Sequence, residues 1–130
     1  MGAQLNAYLM SEDARSQANF YAESLGGEIV SLATYGEAPG TPEAMKDKVM
    51  HLALKVAGTN MLMMSDSFEP VAGSRSISLA LSYDDETEAR TAYDKLAQGG
   101  ENKFPFALQP WGYYGEVVDK FGVTWMITKR

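Results

Sequence analysis

The pentapeptide "SLGGE" at residues 24–28 decides the fold, because a close variant, "AQGGE", recurs at residues 97–101 of the 130-residue chain. Each copy ends a stretch whose apolar residues have helical spacing, and strand-like runs follow. An alternating run also precedes each helical stretch. The sequence therefore predicts a duplicated unit, at residues 3–66 and 75–128, within one domain spanning residues 1–130.

The first copy begins with an alternating run, "LNAYLM" (5–10). Ser11 is predicted to cap the helix that follows, with Glu12 and Asp13 in its first turn. Three strands are predicted after this helix, and a long loop at residues 36–48 separates the first two: "EIVSLATY" (28–35), "VMHLALKVAG" (49–58) and "NMLMMSD" (60–66). The predicted order is βαβββ.

The second copy repeats this order. Asp84 or Asp85 is predicted to cap its helix, and Glu88 is placed to complete a capping box. Pro105 predicts an edge strand or a bulge, because proline cannot donate a backbone hydrogen bond. The four predicted strands are "SISLALSY" (76–83), "KFPFAL" (103–108), "YYGEVVD" (113–119) and "VTWMIT" (123–128).

The composition argues against several functions. The chain has no cysteine, which excludes disulfides and cysteine nucleophiles and is compatible with the predicted cytoplasmic location. Its net charge is −6 and its basic residues are scattered, so neither nucleic acid nor a membrane is a predicted partner. No apolar run is long enough to span a bilayer, and residues 1–13 lack the basic region of a signal peptide.

Each half is too small to bury its own sheet, so the halves are predicted to pack together or to exchange with a second chain. Each helix covers one sheet face, and the other faces are predicted to enclose a cavity. The predicted fold class is α+β, with two βαβββ modules forming curved mixed sheets around that cavity.

This pattern resembles the vicinal oxygen chelate superfamily, with its glyoxalase/bleomycin-resistance/dioxygenase-like fold, and within it the PhnB-like group. The last of the matching stretches is the most specific, because Trp, Gly, Asp, Gly and Trp recur in it at fixed offsets. Together the stretches cover nearly the whole chain: "ANFYAESLGGEIV" (18–30), "YGEAPG" (35–40), "DKVMHLALKVAG" (47–58), "LMMSD" (62–66) and "WGYYGEVVDKFGVTWMI" (111–127).

The resemblance implies a homodimer, swapped or unswapped, with a small-molecule pocket inside each cup of paired sheets. The leading expectation is a PhnB-like small-molecule binding protein, and whether it catalyses a reaction stays open. The alternatives are a metal-dependent lyase, isomerase or dioxygenase of the glyoxalase type and an antibiotic-sequestering protein of the bleomycin-binding type. The quinone-methyltransferase name of some PhnB-like proteins is not supported, since no glycine-rich loop follows either first strand.

The resemblance also implies where a metal would bind. Superfamily enzymes hold a divalent ion with His and Glu side chains, usually from the first and last strands of each half. No metal and no cofactor is predicted here, because three ligands cannot be assembled from these strands. Their inward positions hold Asn6 or Tyr8, Met63 or Ser65, Ser78 or Ala80, and Thr124 or Met126.

Two residues are weak candidates for catalysis. His51, the single histidine, shares a predicted strand face with Lys55 and is either a pocket general base or a hydrogen-bonded strand residue. Glu116 is the best acid or single metal ligand if it points inward beside Tyr114, and a surface charge if it points outward. Asp66 is expected to cap a turn rather than to act as a catalytic carboxylate.

The predicted ligand pocket consists of aromatic and amide side chains that could otherwise pack the core. The methionines at residues 61, 63 and 64 are expected in the core. In "DKFG" (119–122), Asp119 is predicted to bond the turn backbone and Gly122 to adopt a positive φ, so this turn shapes the wall and performs no reaction. The predicted pocket residues are Tyr8, His51, Gln109, Trp111, Tyr113 and Tyr114.

Overall fold

The computed structural model describes residues 2–73 and 76–130, so Met1, Ser74 and Arg75, where the predicted second repeat begins, lie outside the described residues. The chain divides into two compact units between Val71 and Ala72. Each contains one open four-stranded mixed sheet and one α-helix in the order βαβββ. The α+β class is confirmed, whereas a cavity enclosed by the sheets and the domain bounds stay predictions.

The first unit has the sheet order β1-β4-β3-β2, in which β1 is parallel to β4 and the other neighbours are antiparallel. Two short 3₁₀ helices, Tyr35–Glu37 and Glu43–Met45, lie in the predicted long loop. The elements are β1 (Ala7–Ser11), α1 (Ala14–Leu25), β2 (Gly27–Thr34), β3 (Val49–Val56) and β4 (Asn60–Asp66).

Helix α1 packs on one face of this sheet, against β2, β3 and β4. Alternate strand residues are therefore buried beneath it: Leu52, Leu54, Val56, Leu62 and Met64. The strand register places the intervening residues on the opposite side, which we call the helix-free face of the first sheet. It carries Tyr8, Met10, His51, Ala53, Met61, Met63 and Ser65.

The start of α1 differs from the prediction. Asp13, not Ser11, caps the helix and accepts hydrogen bonds from the Ser16 amide at 3.1 Å and the Ser16 hydroxyl at 2.8 Å. Ser11 is still part of β1, and its Oγ accepts from the Asp13 amide at 3.0 Å. The predicted cap was wrong because the strand continues one residue further than its alternation shows. The hydrogen bonds from the Ser16 hydroxyl and amide lower the pKa of the Asp13 carboxyl.

The second unit has the matching sheet order β5-β8-β7-β6, with β5 parallel to β8. Asp85 caps its helix and accepts from the Glu88 amide at 2.9 Å. Strand β6, which contains Pro105, is at the sheet edge and has two register shifts. The elements are β5 (Ser78–Tyr83), α2 (Glu86–Leu96), β6 (Glu101–Gln109), β7 (Gly112–Val118) and β8 (Thr124–Lys129).

Helix α2 packs on one face of this sheet, against β5, β7 and β8. Val117, Trp125 and Ile127 are buried on that side together with Ala89, Ala92 and Leu96 of the helix. The register places the alternate residues on the helix-free face of the second sheet. This face carries Ala80, Ser82, Phe104, Ala107, Tyr114, Glu116, Met126 and Thr128.

The first glycine of each "GGE" motif lies just after a helix. Gly26 has a φ of 74° and Gly99 a φ of 75°. This left-handed conformation strains residues that have a Cβ, and glycine adopts it freely. Gly26 directly caps α1, whereas α2 is capped by Ala97 and Gly99 lies in the turn that follows.

The second glycine of each motif lies against the backbone of a neighbouring strand. A Cβ on Gly27 would overlap the carbonyl oxygen of Lys55, and a Cβ on Gly100 would overlap that of Val118. No side chain fits at either position without displacement of backbone. The recurrence of "GGE" thus reflects one packing requirement met in both units.

The last hairpin is built around Asp119, which is 3% exposed. Its Oδ1 accepts from the amides of Phe121 at 2.8 Å and Val123 at 3.1 Å, and its Oδ2 accepts from the indole nitrogen of Trp125 at 2.9 Å. Gly122 has a φ of 88°, which has the predicted sign. These hydrogen bonds hold the turn in place and fix the start of β8.

The described residues contain no helix that is both long enough and apolar enough to cross a membrane.

Candidate functional site

A buried carboxylate lies on the helix-free face of the second sheet. Glu116, on β7, is 9% exposed and is flanked in register by Phe104 on β6 and Met126 on β8. The Tyr114 hydroxyl donates to its Oε2 at 2.8 Å, and the Lys103 ammonium lies 3.3 Å from its Oε1. We call Lys103, Tyr114 and Glu116 the Glu116 cluster. Of its two predicted orientations, Glu116 adopts the one beside Tyr114.

Lys103 reaches Glu116 because strand β6 bulges. Between Asn102 and Phe104 the strand advances two residues while its partner β7 advances one. The extra residue is Lys103, and a bulge of this kind redirects a side chain that regular alternation would place elsewhere. Sequence reasoning did not select Lys103. The signal available was Pro105, which predicted an irregular edge strand.

Burial raises the pKa of the Tyr114 hydroxyl to about 12, and the hydrogen bond and charge of Glu116 act in the same direction. The neutral phenol is therefore the form that the fold favours. The stability that this group contributes is complete below the ordinary tyrosine pKa of 10.0 and is lost as the pH rises from there toward 12.

An alkaline titration tests this assignment. We expect the ultraviolet absorbance of phenolate to show a final step near pH 12 that disappears in Tyr114→Phe. Glu116→Gln should move this step to lower pH, because it removes the negative charge that disfavours phenolate at Tyr114. The burial of Tyr114 remains and still raises its pKa. Tyr35→Phe serves as the control that leaves the step in place. Persistence of the step in Tyr114→Phe would contradict the assignment.

Two other candidates come together on the helix-free face of the first sheet. The Tyr8 hydroxyl lies 3.2 Å from Nδ1 of His51, and the two ring centroids are 5.8 Å apart at 40°. Tyr8 is on β1 and His51 is on β3, with β4 between them. The predicted face shared by His51 and Lys55 follows from the alternation of β3. Ser65, on the neighbouring strand β4, is buried on the same face.

Tyr113 lies on the opposite side of its sheet from Tyr114. Its ring stacks on Phe106, with centroids 5.7 Å apart at an interplanar angle of 15°. The hydrogen bond between Tyr113 and Glu86 of α2 raises the pKa of the tyrosine and lowers that of the carboxyl. The Arg90 guanidinium lies 5.0 Å from the Phe106 ring centroid. Tyr113 therefore helps attach α2 to the sheet and does not share a surface with the Glu116 cluster.

Gln109 and Trp111 lie at the hairpin between β6 and β7. Gln109 is paired with Gly112 at the end of the ladder, and Trp111 follows in the turn with 74% of its surface exposed. Within residues 2–73 and 76–130, neither residue forms a hydrogen bond with the Glu116 cluster. The predicted aromatic group before the last hairpin therefore occupies three surfaces rather than one.

Asp66, the terminal residue of β4, is 7% exposed. Its carboxylate accepts from the Ala14 amide at 2.8 Å and the Val49 amide at 2.7 Å. It thus joins the start of α1 to the start of β3, which is a structural role but not the predicted turn cap. Among the methionines, Met64 is buried under α1, while Met61 and Met63 are half-buried on the helix-free face.

The donor set does not fit the metal site that the superfamily resemblance implies. In the described ranges, no three His, Asp or Glu side chains are grouped so that they could hold an ion. His51 belongs to the first unit and Glu116 to the second, and each already bonds to a tyrosine hydroxyl. We therefore derive no chemical step through a metal.

The connections after the two first strands also lack a nucleotide cradle. Glu12 and Asp13 form the first connection, and Asp84 and Asp85 form the second. Both helix starts are capped by aspartate carboxylates, which occupy amides that a phosphate group would need. The two connections thus differ from the loop of free amides that binds the phosphates of such a cofactor.

Comparison with a solved structure identifies the fold. The fold matches a glyoxalase/bleomycin resistance protein/dioxygenase domain from Frankia with a TM-score of 0.71 over 99% of this chain and 98% of that chain, at 13% identity. At this identity the match concerns the fold alone. The chain, whose two units each contain an open mixed sheet and one helix, thus has the fold of a glyoxalase/bleomycin resistance protein/dioxygenase domain.

The family follows from closer relatives. A sequence model of the 3-demethylubiquinone-9 3-methyltransferase family matches residues 4–128, and the chain belongs to this PhnB-like family. Protein PA1353 from Pseudomonas aeruginosa is 32% identical with a TM-score of 0.85, over 99% of this chain and 98% of that one. The PhnB protein from Bacillus cereus, which has the same methyltransferase description, is 28% identical with a TM-score of 0.82, over 98% and 100%.

Proposed function

We propose that this PhnB-like protein binds a small organic cation at the Glu116 cluster. The observation that carries the proposal is the Glu116 carboxylate, which is nearly buried on a sheet face that no helix of its unit covers. A buried carboxylate is costly unless a positive charge accompanies it. Lys103 supplies that charge in the absence of a ligand.

An organic ammonium ion would supply the same charge and more contact. The exposed ring of Phe104 and the ring of Tyr114 lie on the same face, and aromatic faces attract cations. The ligand's apolar part would remove these side chains from water, which Lys103 does not do. Lys103 lies on an edge strand and its side chain is 35% exposed, so it is free to move into solvent.

The net charge of −6 supports the same ligand class, because a negative protein attracts cations over long range. This property also favours the bleomycin-binding type of function over the glyoxalase type, which needs a metal that the donor set does not fit. No catalytic role is proposed for His51 or Glu116. Quinone methylation, the activity in the family's description, is not proposed, because neither first connection offers a cofactor cradle.

Calorimetric titration with benzylammonium tests the proposal. We expect saturable binding by the wild type, with benzyl alcohol as the uncharged match that binds more weakly. Lys103→Met should strengthen binding of benzylammonium about tenfold, since the competing ammonium is removed. Glu116→Gln should abolish it.

Lys95→Met is the matched control, because Lys95 lies in the last turn of α2. It removes the same charge from the chain and should leave binding unchanged. The proposal is wrong if Glu116→Gln binds benzylammonium as tightly as the wild type. It is also wrong if benzylammonium and benzyl alcohol bind equally well to every variant.

We also propose that the chain forms a homodimer. Large apolar side chains are exposed at the β6–β7 hairpin, where Leu108 is 66% and Trp111 74% exposed. Burial in a second copy would remove them from water. Light scattering should then give twice the chain mass of 14.2 kDa, and Trp111→Ser should lower the measured mass.

A cytoplasmic location remains a prediction from the cysteine-free composition.

A further inference from the structure

We infer that the Tyr8–His51 pair, with the methionines beside it, binds an uncharged aromatic hydroxyl compound. This ligand class differs from the cation proposed for the second sheet. The inference rests on the first unit alone, so it stands or fails independently of the Glu116 cluster.

The pair lies over two small buried residues, Ala53 and Ser65, which we call the small-residue floor. Tyr8 and His51 come from strands separated by β4, a span of roughly 10 Å between the outer strands. Tyr8 lies in register with Met63 and Ala53, and the register places His51 beside Ser65. Ala53 and Ser65 are both small and buried, so the two rings can lean toward each other above them.

Core packing does not require this hydrogen bond. Tyr8 is 48% exposed, and water could satisfy its hydroxyl and the His51 ring without any contact between them. The pair instead presents polar atoms at a fixed position on an apolar surface. Such an arrangement is typical of ligand sites, where few polar groups orient a ligand and apolar groups bind its body.

The hydrogen bond leaves one imidazole nitrogen available. Nδ1 of His51 is used by Tyr8, and in the described part of the chain Nε2 has no hydrogen-bond partner. A tyrosine hydroxyl either donates or accepts, so a neutral imidazole can present either a lone pair or an N–H at Nε2. A ligand hydroxyl can donate to the lone pair or accept from the N–H. A carboxylate can only accept from the N–H, and an ammonium ion can only donate to the lone pair.

The surroundings of the pair favour an aromatic body. Met10, Met61 and Met63 lie on the same face, and thioethers make favourable contacts with ring edges. The Ser65 hydroxyl donates to Met10 Sδ at 3.3 Å, which orients that thioether at the edge of the small-residue floor.

The charged groups on this face lie away from the pair. Lys55 and Glu28 are opposite each other in the register of β3 and β2, four residues along β3 from His51. Among the described residues, no acidic or basic side chain forms an ion pair with His51 or lies next to Tyr8 in the register. A charged ligand would have no partner charge here, so an uncharged ligand has the lower desolvation cost at this position.

NMR titration with phenol tests the inference, with toluene as the matched compound that lacks the hydroxyl. His51 is the single histidine, so its ring signals are unambiguous in the wild-type protein. We expect saturable shifts of the imidazole nitrogens with phenol, strongest at Nε2, and only methionine methyl shifts with toluene. Tyr8→Phe and His51→Ala should each weaken phenol binding about tenfold.

Tyr35→Phe is the control, because the Tyr35 ring contacts Phe68 and belongs to neither proposed site, and it should leave phenol binding unchanged. The inference is overturned if phenol produces no saturable shift of the His51 ring, or if Tyr8→Phe and His51→Ala bind phenol as the wild type does. A variant that fails to fold does not decide the matter, because the wild-type ring shifts report directly. Failure of benzylammonium binding at Glu116 would not affect this result.

Discussion

Replacing Gly27 or Gly100 by alanine should destabilise the protein by about 3 kcal/mol or prevent folding. At each position the new Cβ would overlap a backbone carbonyl oxygen of the adjacent strand. A flexible side chain could move away from such a contact, but a carbonyl within a hydrogen-bonded ladder cannot move without disturbing its neighbours. The cost should therefore exceed that of an ordinary small-to-large substitution.

The first glycine of each pair provides the matched control. Gly26 has a positive φ but open space around its Cβ position, so Gly26→Ala should cost only about 1 kcal/mol, the penalty of the left-handed backbone. Urea unfolding followed by circular dichroism measures both effects. Equal losses in Gly26→Ala and Gly27→Ala would contradict the packing explanation of the "GGE" repeat.

Much of the fold is predictable from the sequence because its signals are local. The strand predicted at residues 60–66 corresponds to β4 (Asn60–Asp66), and the two glycine pairs mark the two helix ends. Alternation and helical spacing reflect one-sided burial, which is a property of each element by itself. The order of strands in each sheet does not follow from these patterns, since β1 and β4 are far apart in the chain.

The candidate site is predictable only in part. Tyr113 and Tyr114 are predicted to line one pocket, although the two-residue period of a strand puts adjacent side chains on opposite faces. That signal was present in the sequence. The contact of Tyr8 with His51 requires the β1-β4-β3 order, and the contact of Lys103 with Glu116 requires a bulge. Neither feature has a local signature beyond Pro105.

The two buried aspartates show how carboxylates act as structural groups in both units. Asp66 holds amides of α1 and β3, and Asp119 holds its own turn and the Trp125 indole. Each accepts hydrogen bonds from several N–H groups, as buried carboxylates commonly do. Glu116 differs from both because its partners are side chains, which a ligand can displace.

Asp119→Ala should cost about 4 kcal/mol of folding stability, because it leaves two turn amides and a buried indole N–H without their acceptor. Asp119→Asn should cost about half as much, since one amide oxygen can still accept from the turn while the new NH₂ group faces the indole. The loss of the indole bond should appear in the fluorescence of Trp125. A Trp111→Phe background makes that residue the single tryptophan.

Asp84→Ala is the control for the removal of a negative charge. Its carboxylate side chain is 86% exposed and pairs with Arg130 on the surface, so the change should have little measurable effect on the urea midpoint. If Asp119→Ala unfolds at the same urea concentration as Asp84→Ala, the turn does not depend on its carboxylate. In that case β8 must be positioned by the burial of Trp125 and Ile127 rather than by hydrogen bonds.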